Sequence, residues 1–164
     1  MFRYSLILLG LIVPLVHCYS SGAPPGACHN LMPGHGYEPQ QVQSPVTLSA
    51  PATVPRGSTI KLTLKGDSGN NFLGFIVRAY EDNLGSSGHF EGILDSQTLT
   101  CDSPDDSATH FSNSIKDQVE IHWTAPNYYY TTNVTFKSTV VINYSTIFLN
   151  QPINVQVLYD PSLP

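Results

Sequence analysis

From Val46 to Tyr159 the chain alternates apolar and polar residues in short runs, each broken by turn formers. Val46 and Leu48 open the first run. Ile60, Leu62 and Leu64 then alternate with Thr59, Lys61, Thr63 and Lys65, the period-two pattern of a strand with one dry and one wet face. Val119, Ile121 and Trp123 alternate with Gln118, Glu120 and His122 in the same way. Val134, Phe136, Ser138, Val140 and Ile142 share one parity along a longer strand, and Val155, Val157 and Tyr159 form the last. Residues 72–80 (FLGFIVRAY) are apolar on both parities for most of their length. They predict a central strand covered on each side. Gly74 within it marks a bulge or a close approach.

Short strands are also expected over residues 89–94 and 97–101, around Asp95-Ser96. Turns or loops are expected at 55–57, 66–70, 83–88 and 102–106, with a further loop opening at Pro126-Asn127. No segment carries a convincing 3.6-residue period, and there is no internal repeat. Eight or so strands with turns every 8 to 12 residues predict an all-β fold, an antiparallel immunoglobulin-like β-sandwich. Trp123 is the single Trp and is expected in its core, with the disulfide described below packed near it.

The first residues differ in kind from the rest of the chain. Arg3 followed by residues 6–16 (LILLGLIVPLV) has the make-up of a secretory signal peptide. The apolar run is too short to span a bilayer. An uncleaved anchor is the alternative. The expected organisation is a signal peptide over 1–20, cleaved near Tyr19 or Ser21, and one domain over 21–160. Residues 19–44, rich in Gly, Pro, His and Gln, read as an irregular N-terminal arm.

Cleavage removes Cys18 and leaves Cys28 and Cys101. Two cysteines in an oxidising compartment are expected to form one disulfide, with two buried free thiols as the alternative. It would tie the arm to the domain. Asn133-Val134-Thr135 and Asn143-Tyr144-Ser145 are glycosylation acceptors in a secreted chain.

Composition sharpens the class. The chain has 164 residues, of which 41% are hydrophobic and only 12% charged, with 13 Pro and 12 Gly. Without Arg3, six basic residues face twelve acidic ones, a net charge of −6 with His neutral. Such a chain is repelled by nucleic acid and by anionic membranes, so neither is an expected partner and membrane insertion is not expected. Lysis by a cationic amphipathic segment is excluded on the same ground.

Catalytic motifs are absent. There is no Gly-x-Ser-x-Gly elbow, and no spacing that sets a nucleophile beside a base. His29, His35, His89, His110 and His122 show no zinc-ligand spacing, so no metal and no cofactor are expected. Asp102, Asp105 and Asp106 lack the Gly and bidentate Glu of a calcium loop and read as a solvated acidic turn. His110 is either a pH-sensitive contact or, by far the commoner case, a hydrogen-bonded residue fixing a strand end. Tyr128, Tyr129 and Tyr130 are the one sequence feature with binding chemistry. In a strand they pack to alternate faces. In a loop all three can be exposed, where Tyr stacks on sugar rings and anchors interfaces at low entropic cost.

Several elements occur in an order that resembles the reeler (reelin amino-terminal) domain family. They are Gly22-Ala23-Pro24 before Cys28, Met32-Pro33-Gly34-His35, Ser44-Pro45 and Phe72-Leu73-Gly74-Phe75. Cys101, Thr109-His110 and Trp123-Thr124-Ala125-Pro126 before residues 134–141 complete the set. The chain is similar above all to the short insect members, the noduler-like defense proteins.

That resemblance implies an immunoglobulin-like sandwich, secretion into haemolymph, and a non-enzymatic role in innate immunity. The role would be contact with microbial surface polymers, haemocyte aggregation or antimicrobial action. It supplies no active site. Two other functions stay open: an extracellular interaction module for host proteins in matrix or development, and a carrier holding a small apolar ligand between its sheets. The ligand and the oligomeric state are not legible.

Overall fold

A computed structural model of the chain describes residues 20–81 and 84–162. The expected signal peptide, Ser20 apart, lies outside the described residues. Among the described residues twelve strands form two facing sheets, and two short 3₁₀ turns lie outside the strands. The smaller sheet has the order β1 (Val46–Ser49), β3 (Thr59–Gly66), β9 (Gln118–Thr124), β6 (His89–Glu91). The larger runs β2 (Thr53–Pro55), β12 (Ile153–Leu158), β10 (Thr132–Asn143), β4 (Gly74–Glu81), β8 (Ser107–His110), β7 (Ser96–Leu99). β11 (Thr146–Leu149) pairs with β10, and β5 (Gly85–Ser86) with β4. This is the expected antiparallel sandwich, with one exception: β12 and the edge strand β2 run parallel. Pro55 fits there because an edge strand has a side on which no amide donor is needed.

The alternating residues meet between the sheets. Leu62 and Leu64 of β3, with Val119, Ile121 and Trp123 of β9, face Phe75, Val77 and Ala79 of β4, Val134, Phe136 and Val140 of β10, and Val155 and Val157 of β12. Trp123 is fully buried, stands edge-on to Phe136 with ring centres 4.9 Å apart, and donates its indole N–H to the Ser87 carbonyl at 3.0 Å. The next residue, Gly88, adopts φ +65°, and a Cβ there would lie 2.4 Å from the Thr124 carbonyl oxygen. The Trp ring and the loop backbone are in direct contact, which only Gly permits.

β4 has a second buried face. Ile76 and Arg78, opposite in parity to Phe75 and Val77, lie under the N-terminal arm with Ala27 and Leu31. The arm is held by covalent and hydrogen-bonded contacts along its length. Cys28 is joined to Cys101. The Ala23 amide donates to Thr109 Oγ1 at 2.8 Å, and the Gln40 amide donates to the Ile147 carbonyl at 2.8 Å. The disulfide therefore sits on the outer face of the larger sheet, away from Trp123, and the expected Trp–disulfide contact does not form. It spans 73 residues of sequence, and closing a loop of that length stabilises by about 4 kcal/mol on chain-entropy grounds.

Beneath the disulfide, Arg78 is buried at 1% exposure. Its guanidinium donates to the Cys28 carbonyl at 2.6 Å, to Asp102 at 2.7 Å, to Asp106 at 2.8 Å and to Ser86 Oγ at 2.7 Å. Asp106 is fully buried and also accepts the backbone N–H groups of Cys101, Asp102 and Ser103. The turn expected to be solvated thus carries a buried carboxylate. Burial alone would raise its pKa. The Ser86 hydroxyl and the three amides outweigh that and hold it below the ordinary carboxylate range.

His110 ends β8 and is buried, accepting the Phe75 amide on Nδ1 at 3.2 Å. Its ring lies against Gly74, where a Cβ would come 2.9 Å from Cε1. Gly74 is thus the close approach read from the sequence, and His110 sits at a strand end as expected.

Two predictions follow from this packing. Gly74→Ala drives a methyl into a ring that is itself hydrogen-bonded, and is expected to cost about 1–3 kcal/mol, read as a lower urea midpoint. Asp106→Asn leaves Arg78 without its buried charge partner, at an expected cost of about 3–5 kcal/mol near pH 7. A carboxyl with a lowered folded pKa contributes stability that is complete above its unfolded value and is lost as pH falls through the folded one. The gap between wild type and variant should therefore hold from neutral pH down to about pH 4 and narrow below it, and a gap independent of pH would contradict the assignment.

Candidate functional site at the tyrosine loop

Residues 125–131 connect β9 to β10 without secondary structure, so the three tyrosines lie in a loop. The backbone leaves β9 at Ala125 and Pro126. The Pro126 carbonyl accepts the Gly57 amide at 3.3 Å, which sets the loop beside the turn after β2. At the far side the Tyr159 amide donates to Thr131 Oγ1 at 3.0 Å. Three segments distant in sequence thus form one end of the sandwich.

The tyrosines divide into two functions. Tyr128 and Tyr130 stack face to face, 5.0 Å between centres and 7° between planes. Both hydroxyls address Glu81, the last residue of β4, which is itself buried. Glu81 Oε1 accepts Tyr130 at 3.3 Å and Thr132 Oγ1 at 2.7 Å. Loss of water first, and the Glu81 carboxylate second, hold both phenols above the ordinary tyrosine range. Tyr128 is half-buried and braces the loop.

Tyr129 points the other way and is 79% exposed. It stands edge-on to Tyr159, and the Arg56 guanidinium lies 5.0 Å from the Tyr129 ring centre and 4.9 Å from that of Tyr159. Arg56 is fixed in turn by NH1 donating to the Tyr128 carbonyl at 3.5 Å and by its amide donating to the Leu158 carbonyl at 3.0 Å. The outcome is a ledge of two phenol rings spaced by one cation. Its rings offer flat apolar faces, and its cation and hydroxyls offer hydrogen bonds at the edge. That combination stacks on sugar rings and pairs with anionic groups on them. Arg56 and Tyr159 were not singled out from the sequence. Arg56 reads as a turn residue and Tyr159 as the end of a strand, and only the loop crossing between them joins the two.

The other sequence candidates fall elsewhere. Asn133 and Asn143 are both exposed, at opposite ends of β10. Asn143 Oδ1 accepts both the amide and the hydroxyl of Ser145, at 3.1 and 3.2 Å. Cys28 and Cys101 belong to the arm clamp. Among the described residues no three His, Cys, Asp or Glu side chains converge as metal ligands. No helix among them is long and apolar enough to cross a membrane.

Comparison with known proteins bears on this arrangement. The Reeler domain family pattern matches residues 26–159. The chain is 37% identical over 146 residues to the defense protein l(2)34Fc of Drosophila melanogaster, covering 86% of this chain and 89% of that protein. It is 33% identical to ferric-chelate reductase 1 of Bos taurus over 99% of this chain, but over only 28% of the reductase. The crystal structure of the human F-spondin reeler domain superposes with a TM-score of 0.63 at 17% identity, covering 74% of this chain and 95% of that domain.

The brace predicts a titration. Glu81→Gln keeps the hydrogen-bonding shape and removes the charge. The Tyr128 and Tyr130 ionisation should move part of the way back toward the ordinary tyrosine value, the remainder being held by burial. Ultraviolet difference titration of the phenolates reads this, and an unchanged curve would show that the carboxylate does not act on the pair.

Proposed function

The chain belongs to the reeler domain family, and from that membership we propose that it is a secreted, non-enzymatic defense protein that recognises microbial surface polymers through the ledge of Arg56, Tyr129 and Tyr159. The observation that carries the reading is Tyr129, a large aromatic ring held almost fully in solvent by a stacked arginine. A single exposed ring is ordinary, but tyrosines grouped around an arginine have the composition enriched at binding hot spots. The relative named a defense protein supports the physiological side. Its match spans most of both chains. The reductase similarity extends over a quarter of that enzyme and brings no reductase chemistry with it.

In this reading the fold is a rigid support. Binding depends on a preformed ledge rather than on closure of a cleft, because the Arg56 amide donates to the Leu158 carbonyl, its guanidinium to the Tyr128 carbonyl, and the Tyr159 amide to Thr131 Oγ1. A net charge of −6 for the exported chain opposes direct attack on anionic membranes. Defense would then proceed by marking or cross-linking particles and recruiting haemocytes. A glycan on Asn133, two residues after Thr131, would shield part of the ledge region, whereas one on Asn143 would stand at the far end of β10.

Incubation of exported protein with washed bacteria and yeast, and with insoluble peptidoglycan and β-glucan, tests the proposal. Retention in the pellet is expected for the wild type. Tyr129→Ala with Tyr159→Ala should weaken it at least about tenfold, equivalent to about 1.4 kcal/mol. Retention on none of these materials, together with tight capture by a host matrix protein, would replace the reading with that of a host interaction module.

A further inference from the structure

A second concave site lies at the other side of the larger sheet. Between the N-terminal arm and the outer faces of β4 and β10 there is a cavity of about 160 Å³. Leu31 and Pro33 line it from the arm, Ile76 and Val141 from the sheet, and Tyr144 from the turn between β10 and β11. It is not the space between the sheets, where a carrier's cavity was expected. There the core side chains interdigitate.

The void persists because its walls cannot close on it. The arm is pinned on one side by the Cys28–Cys101 bond and the Ala23 amide on Thr109. On the other, the His35 ring stacks on Tyr144 at 4.7 Å and its Nδ1 donates to the Tyr144 carbonyl at 2.9 Å. The floor is made of two paired strands with Thr139 set opposite Ile76. Side chains lining a gap of this kind have no partner atoms across it and lose those contacts outright. A mainly apolar pocket of about this size has room for a molecule as large as benzene.

The lining is mainly apolar, and its side chains that carry polar atoms are those of His35, His110, Asn113, Thr139 and Tyr144. Thr139 is 1% exposed, and its Oγ1 has no hydrogen-bond partner. On β10 it has the parity of Val141, the face turned toward the arm. A buried hydroxyl without a partner is uncommon, because it forfeits the hydrogen bonds water would supply. A mainly apolar pocket with an unpartnered buried hydroxyl among its lining residues has the form of a small-ligand site rather than of a packing defect.

We infer that this cavity binds a small, mainly apolar molecule of about six to eight heavy atoms that carries one hydrogen-bonding group, the group being met by Thr139 Oγ1. This site is separate from the aromatic ledge, and its occupancy does not require the proposed polymer binding. Tyr129→Ala should leave it unchanged.

The experiment uses exported protein with its disulfide intact and two probes of nearly equal shape, p-cresol and toluene. Methyl proton–carbon spectra are followed during titration. Saturable shifts are expected at Leu31, Ile76 and Val141, with dissociation constants in roughly the millimolar range for ligands so small. p-Cresol should bind about three- to tenfold tighter than toluene, the worth of one net hydrogen bond. Thr139→Val preserves the shape and should erase that preference while toluene binding survives. Val141→Phe fills the space and should abolish both. If that variant misfolds, Leu31→Trp blocks the cavity from the arm side instead. No saturable shift at these methyls with either probe would overturn the site. So would shifts that persist in a folded, filled variant. Equal affinity for the two probes in the wild type would overturn the assignment to Thr139.

Discussion

A strand that is apolar on both faces cannot be left at the surface of a sandwich, and β4 is such a strand with a guanidinium in its middle. Placing Arg78 there takes a full charge out of water, a cost of several kcal/mol that only close counter-charge and hydrogen bonds offset. Asp106, Asp102, Ser86 and the Cys28 carbonyl supply them. These partners come from three separate places: the loop before β8, the short strand β5, and the arm. Each of these pieces has little regular structure of its own. The loop carrying Asp106 is ordered by offering three amides to the same carboxylate that pairs with Arg78. The disulfide sits next to this cluster, so covalent and ionic restraints act on one spot. Its effect is less net stability than uniqueness of arrangement, since a half-made version would leave a bare charge in the interior.

The parts of the fold that depend on one-sided burial were legible in the sequence. β1, β3, β9, β10 and β12 each bury one parity against the opposite sheet, and that leaves a period of two in the residue order. The two cysteines were legible by counting. β2, β5 and β11 were not, because strands of two to four residues carry no pattern to read, and the parallel pairing of β2 with β12 is set by where the chain returns rather than by its composition. Arg78 was hidden for another reason. Within FLGFIVRAY it looks like a polar interruption, whereas its partner Asp106 looks like a member of a wet acidic turn. Charge pairing over 28 residues leaves no local trace. A single basic residue inside an otherwise two-sided apolar strand is nonetheless a usable sign that a carboxylate must reach it from elsewhere.

The tyrosine loop shows the same division between composition and placement. Three adjacent tyrosines announced an aromatic surface, but not which ring would face the solvent. Geometry settles that by giving two of them to Glu81 as a stacked brace and turning the third outward. The brace is what allows the exposure. With both neighbours fixed, the middle residue has no inward path, and Arg56 and Tyr159 complete a surface that neither could form alone.

The ledge and the arm cavity share a cause in the completeness of the core. Phe72, Phe75, Phe90, Trp123 and Phe136 fill the space between the sheets. In such a core an added ligand would have to displace close-packed side chains. Recognition in this sandwich is therefore confined to what lies outside it: loops at the ends, and the arm laid over the outer face. The two differ in how they are made rigid. The ledge is stiffened by side chains stacking on each other in solvent, where each contact is weak and several are needed. The arm is stiffened by one covalent bond and a buried ion pair, which together hold a void open against collapse. A surface of the first kind suits repeated units met in many copies. An enclosure of the second kind suits a single small molecule, and its persistence depends on the Cys28–Cys101 link remaining oxidised.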